Sequence, residues 1–241
     1  MRRDSRVDAP SGSDQGPYPP TGLRRRVHGA DDVESFLAVG KRIAADLERY
    51  VGAANLDGGA ARVLDFGCGC GRVLRFLPRD DRAWQIHGSD LDAEAIAWCR
   101  QNLAHLATFS TNAPAPPLPY PSDFFDFVYS ISVFTHLPEN LQLRWLEELR
   151  RVTRAGAYLL LSTHGEGLFH LVSRRGRRAL RESGFYYCGN RSTDGLPDFY
   201  QTAFHQRRYI EREWSRFFEI VRIDEKGIAG RQDAILCRRA A

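Results

Sequence analysis

The apolar positions change period several times along the chain, and each change marks an element. Phe36, Gly40, Ile43, Leu47 and Tyr50 recur at helical spacing, with Asp31 and Asp32 suited to the positive end of a helix. Asn55 to Gly59 breaks that helix. Strands and helices then alternate. Arg62–Phe66 reads as a short buried strand, Arg72–Leu77 as a helix stopped by Pro78, and Trp84–Ser89 as a second strand. Ala93–Leu103 is a helix with Ala95, Ile96, Cys99 and Leu103 on one face, and Thr108–Ser110 a short third strand. The proline-rich loop Ala113–Pro121 leads into a strand over Phe125–Ile131. Pro138 opens a helix striped by Leu141, Trp145, Leu149 and Val152. Ala157–Ser162 is an apolar strand and Leu168–Glu182 a further helix. This alternation predicts an α/β fold, a mostly parallel sheet with helices on both faces. Phe217–Ile223 and Ala234–Arg238, joined by DEKGIAGRQD, read as an antiparallel hairpin at the sheet edge.

Two segments break the pattern. Residues 1–30 read as a flexible arm, the first twenty rich in Pro, Gly, Ser and Asp, ahead of a single domain over 31–241. Phe185–Arg212 is long, aromatic and irregular, and reads as an insertion or lid; such a loop inside a compact domain usually has a function.

Composition adds bounds rather than an identity. The 241 residues are 43% hydrophobic, enough for one sizeable core. Basic and acidic residues number 34 and 30, a net +4 too small to argue for nucleic acid. Lys41 and Lys226 are the sole lysines, so the positive charge is almost all arginine, as a GC-rich bacterial genome would produce. No apolar run of about 18 residues suggests a membrane span, and the N-terminal stretch lacks the apolar centre of a secretory signal. Five cysteines without metal spacing read as reduced thiols of a cytoplasmic protein, with no metal site.

The chemistry starts at VLDFGCGCGRVL, residues 63–74. A strand running into a glycine-rich turn presents free backbone N–H groups, and Gly67, Gly69 and Gly71 let the main chain turn sharply and approach a ligand. The third glycine comes one residue too early for the dinucleotide fingerprint. Asp90, at the end of the second strand, stands where an acidic residue accepts both ribose hydroxyls; it also suits a cap for the helix that follows.

VLDFGCGCGR followed by IHGSDLD resembles motif I and its acidic follower in class I S-adenosylmethionine-dependent methyltransferases. FFDFVYSISVFTHLP resembles that family's fourth-strand signature, and LEELRRVTRAGAYLLLSTH the helix and strand after it. TRAGA departs from the Pro-Gly-Gly turn usual there. The resemblance spans Arg62 to about His164. It implies a Rossmann-like seven-stranded sheet, with S-adenosyl-L-methionine as cofactor and S-adenosyl-L-homocysteine as product. It also places Asp65, Gly67 and Gly69 around the methionine part, with Gly71 in the same cofactor-binding loop, Asp90 at the ribose, Leu91 flanking the adenine, Asn112 at the adenine edge unless it is a plain turn residue, and Ser130 and Ile131 beside the methionine end.

The acceptor is less constrained. The segment after the fourth strand, YSISVF, lacks the Asn-Pro-Pro-Tyr or Asp-Pro-Pro-Tyr of amine-directed DNA enzymes, and no Pro-Cys pair supports cytosine C5 chemistry. Arg174, Arg175, Arg177, Arg178 and Arg181 crowd one helix without aromatic interleaving, which fits a solvated face better than an RNA grip. His136 follows the fourth strand at the end where active sites form, as a general base or as a packed residue at a helix start. His164 makes a similar case after the fifth strand. Asp198, Tyr200 and His205, among aromatics, suit a substrate pocket wall or an ordered lid that only packs. Tyr18 and Phe36 either close the same mouth or serve simple packing. With the activity that the resemblance implies, these features predict a small-molecule O-methyltransferase acting on a natural product or glycan-related metabolite. N- or C-methylation of a peptide or RNA, or a non-catalytic cofactor-binding module, are the alternatives.

Overall fold

The computed structural model describes residues 17–54, 56, 59–77, 83–189, 193 and 195–240. Helix α1 covers Thr21–His28 and α2 Val33–Ala53. They are followed by β1 Ala61–Phe66, β2 Trp84–Asp90, α3 Ala93–Asn102, β3 Thr108–Thr111 and β4 Phe125–Ser130. Then come α4 Glu139–Val152, β5 Thr153–Thr163, α5 Arg174–Ser183, β6 Phe185–Cys188, β7 Thr202–His205 and α6 Arg207–Glu213. Two long strands, β8 Glu219–Ile228 and β9 Gln232–Arg238, follow.

Seven strands form one sheet in the order β3-β2-β1-β4-β5-β9-β8. β1 pairs in parallel with β2 and β4, β2 with β3, and β4 with β5, whereas β9 runs antiparallel to β5 and β8. The predicted fold class is therefore observed. The central strands read as unbroken apolar runs because both faces are covered. Val63, Phe127, Tyr129 and Leu160 pack toward Ile43 and Leu47 of α2 and Ile96 of α3. Their neighbours Leu64, Val128, Leu159 and Leu161 pack on the other face against Leu141, Trp145 and Leu149 of α4. Strand order reverses between β1 and β4, which opens a crevice at their C-terminal ends.

Several local expectations need correction. Residues 17–30 of the expected arm are ordered: Leu23 of α1 is buried with Phe36, Cys70 and Ala95, so a small apolar face overrides the polar composition. Residues 1–16, Asn55, 57–58 and Pro78 lie outside the described residues. Arg72–Leu77 makes turns and one 3-10 turn at Leu74–Phe76, because six residues are too few to sustain a helix. Leu168–Glu182 is divided: a 3-10 stretch at Glu166–Leu171 precedes α5, whose start is set by the Ser173 side chain accepting from Gly176 N. Phe185–Arg212 is regular in part, while its described residues between Gly189 and Gln201 make only turns and bends. It holds the antiparallel β6–β7 pair and the start of α6. The closing hairpin is longer than expected, since β8 and β9 absorb most of DEKGIAGRQD.

Candidate functional site

A cavity of about 510 Å³ opens at the C-terminal ends of the parallel strands. Its lining includes Asp65, Gly67, Gly69, Asp90, Leu91 and Asn112. The loop after β1 is held by Gly67 N donating to Ser89 O at 2.7 Å and Gly71 N to Cys68 O at 3.0 Å. Gly67 and Gly69 have φ of +83° and +52°, in the left-handed region that favours glycine. A side chain at Gly67 would also collide with Val133, and one at Gly69 with Val27 of α1.

Asp90 lies against this loop. Its Oδ2 accepts from Gly69 N at 2.7 Å and its Oδ1 from Asp92 N at 2.9 Å, so the carboxylate is fixed while each oxygen keeps a further acceptor site. Burial pushes its pKa up to about 6, against the pull of those N–H donors. The expected alternative, a cap on the following helix, falls to Asp92, whose Oδ1 accepts from Glu94 N and Ala95 N. Asp65 is 3% exposed, and burial raises its pKa to about 7; the Tyr129 hydroxyl and the Arg72 charge favour its ionised form. Asn112 is oriented by Ser89 Oγ, which donates to its Oδ1 at 2.8 Å.

β7 and Gln201 before it bond to the segment that follows β4 and to the residue that follows β5. Gln201 N donates to His136 O, Ala203 N to Thr135 O and His205 N to His164 O, which ties the insertion to both. His136 is buried and its Nδ1 lies 2.5 Å from Gln201 O. A carbonyl only accepts, so Nδ1 carries the proton and a neutral His136 bears its lone pair on Nε2. Its ring stacks on Tyr200, centroids 4.4 Å apart. His164 repeats the arrangement, with Nδ1 3.2 Å from Ala203 O. Both imidazoles, Tyr200 and Ile131 line the cavity together with Leu168, Leu171 and Phe204.

Four expected site residues lie elsewhere. Gly71 packs against Leu103 and Cys99, where a Cβ would leave no room. Ser130 is fully buried and outside the lining. Asp198 is exposed and outside the lining. His205 sits in the core, its Nε2 donating to Gln142 Oε1 at 2.9 Å, and burial depresses its pKa to about 3. Phe36 is core, and the arginines of α5 are exposed, Arg178 paired with Glu182. Conversely, Arg26 and His28 of α1, Arg72, Arg231 and Gln232 line the cavity and were not expected. The signal for α1 lay in the four-residue spacing of Leu23 and Val27, and that for Arg72 in a cation next to the last loop glycine.

Residues 63–156 match a family described as "Methyltransferase domain". The chain carries a class I S-adenosylmethionine-dependent methyltransferase domain. The methyltransferase domain is similar to a fatty-acid O-methyltransferase of Mycolicibacterium smegmatis, 36% identical over 110 residues covering 45% of this chain and 39% of that protein. It is similar to a malonyl-[acyl-carrier protein] O-methyltransferase of Halorhodospira halophila, 32% identical over 117 residues, 45% of this chain and 37% of that protein. A tRNA (carboxymethyluridine(34)-5-O)-methyltransferase of Arabidopsis thaliana is 33% identical over 42% of this chain and 23% of that protein. The matches thus span well under half the length of these curated relatives. A solved S-adenosylmethionine-dependent methyltransferase of Clostridium acetobutylicum shares the fold, with TM-score 0.62 and 11% identity over 89% of this chain and 98% of that one. S-adenosylmethionine is the cofactor of this class, and the donor set fits it: a fixed carboxylate suits a diol, a second carboxylate an ammonium, and the glycine loop a close main-chain approach. Among the described residues no cluster suits a metal ion and no helix is long and apolar enough to cross a membrane.

Proposed function

We propose that the chain transfers a methyl group from S-adenosylmethionine to an oxygen of a small organic acceptor, releasing S-adenosylhomocysteine. One observation carries this reading: a single cavity is lined both by the glycine loop and Asp90 and by two backbone-anchored imidazoles. When bound, the cofactor supplies an electrophilic methyl on a sulfonium sulfur.

The chain's own residues do the rest. Asp90 accepts from the ribose hydroxyls, Leu91 and Asn112 border the adenine, and Gly67 and Gly69 let the main chain close on the donor. Asp65 attracts the ammonium, with Ile131 beside that end. His136 Nε2 takes the proton of an acceptor hydroxyl as the new O–C bond forms, while Nδ1 stays bonded to the Gln201 carbonyl. Leu168, Leu171 and Phe204 offer an apolar wall to the acceptor's carbon skeleton. Alignment and water exclusion are the main sources of rate in such an in-line displacement.

O-methyltransferases among the relatives support an oxygen acceptor. Five unpaired cysteines, four of them buried, support a reducing cytoplasm, and the arginine-for-lysine bias a bacterial source. A natural product or glycan-related metabolite remains the acceptor class proposed, with RNA as the rival that the tRNA-directed relative brings in. The test offers purified protein and S-adenosylmethionine a fatty acid, a phenol, a sugar and bulk tRNA, and follows S-adenosylhomocysteine and methylated product by mass spectrometry. Methylation of tRNA alone would refute the small-molecule reading. His136→Ala is expected to lower turnover by roughly 10²–10⁴-fold with S-adenosylhomocysteine affinity unchanged. An unaltered rate and pH profile would remove the base.

A further inference from the structure

We propose that Arg72 is a carboxylate-binding residue of the cavity and that its ligand is the α-carboxylate at the cofactor's amino-acid end. The proposal rests on the methyl-donor reading of this cavity.

Arg72 follows the last glycine of the loop, is 8% exposed and lines the cavity. Among the described residues no carboxylate lies within ion-pair distance of its guanidinium. Its buried Nε has no hydrogen-bond partner, and Nη1 approaches only His28 Nδ1, at 3.4 Å. Arg75, one turn further on, differs: its Nε donates to Gly71 O at 3.1 Å. A guanidinium does not escape burial by losing its proton, so an isolated one is costly unless an anion completes it. Its planar fork fits the two oxygens of a carboxylate.

The surroundings choose among anions. The neighbouring charge felt by Arg72 is Asp65, the buried carboxylate at the end of β1. A doubly negative phosphate would face repulsion from Asp65 and Asp90 together. A zwitterionic α-amino-acid group brings an ammonium for Asp65 and a carboxylate for Arg72, so both buried charges are compensated by one ligand. The carboxylate of an acidic acceptor offers the same chemistry to Arg72 without the ammonium, and the experiment separates the two sources.

Arg72→Met, which keeps the apolar stem, and Arg72→Lys are made in the full chain. Binding of S-adenosylhomocysteine, of 5′-methylthioadenosine, which has the nucleoside and thioether but no amino-acid end, and of a fatty acid as carboxylate probe is measured by calorimetry. Arg72→Met is expected to weaken S-adenosylhomocysteine about 10- to 100-fold and leave 5′-methylthioadenosine within about twofold, with Arg72→Lys in between. Retained 5′-methylthioadenosine binding also shows that the variant is folded. Unchanged S-adenosylhomocysteine affinity overturns the proposal, including the case where only a fatty-acid probe binds more weakly. Equal loss of both nucleosides overturns it too, since that marks a distorted loop. Failure of the unmodified chain to bind either nucleoside would instead overturn the methyl-donor reading itself.

Discussion

Asp65→Asn is expected to stabilise the folded chain at pH 8 while weakening cofactor binding. Asp65 is 3% exposed, and burial lifts its pKa from 3.8 to about 7. At about 1.4 kcal/mol per pH unit, keeping this group ionised above pH 7 costs the folded state on the order of 4 kcal/mol. Because the folded value lies above the unfolded one, the folded protein holds more protons than the unfolded chain between about pH 4 and pH 7. This contribution to stability is therefore full below pH 4, falls as pH rises, and is lost above pH 7. Asn removes the charge and keeps the shape, but leaves an amide N–H₂ without its partner at about 1–3 kcal/mol. The net expectation is about 2 kcal/mol of stabilisation at pH 8, or a Tm roughly 4–8 °C higher for a chain of this size. At pH 4 or below the charge is already absent, and the variant should be no more stable than the unmodified chain, or less. His205, neutral because burial holds its pKa near 3, brings the opposite dependence between pH 6.5 and 3, but is common to both proteins and cancels in the difference. Urea unfolding at pH 4 and pH 8 tests this. An Asp65→Asn variant no more stable at pH 8, or with the same difference at both pH values, would refute the burial argument. Calorimetry on the same samples should show weaker S-adenosylhomocysteine binding, the usual relation of a strained site to its function.

Asp90→Asn replaces one of two carboxylate oxygens that accept Gly69 N and Asp92 N, and should weaken S-adenosylhomocysteine by about 10- to 100-fold in calorimetry. Gly69→Ala places a Cβ 2.6 Å from Val27 Cγ2 at a φ of +52°, so it should cost about 1–2 kcal/mol of backbone strain plus the clash. Adding Val27→Ala should recover the clash but not the strain; no recovery in denaturant melts would mean that α1 does not press on the loop. Cys188 is half-buried, whereas Cys68, Cys70, Cys99 and Cys237 are buried. A thiol reagent should label Cys188 first under native conditions and all five cysteines only on unfolding; rapid native labelling of Cys68 or Cys70 would contradict the packed loop.

The sequence by itself determined what depends on local period and local sterics. Both-face burial makes Leu64 and Val63, or Val128 and Phe127, apolar in succession, so β1 and β4 stand out with no knowledge of their partners. Left-handed backbone at Gly67 and Gly69 admits few residues, so the loop is written in glycine, and Asp90 stands at the end of the adjacent parallel strand β2. Tertiary structure decided what depends on pairings across long stretches of chain. His136 and His205 look alike in sequence, each polar among aromatics. Hydrogen bonds of β7 and Gln201 to the residues that follow β4 and β5 turn His136 toward the cavity and bury His205 against Gln142. In the same way, a few apolar contacts fold α1 over the loop from a segment whose composition reads as a free arm. Arg72 gains its meaning only when its neighbours are known: a buried cation is recognised by the partner it lacks, and no residue pattern records an absence.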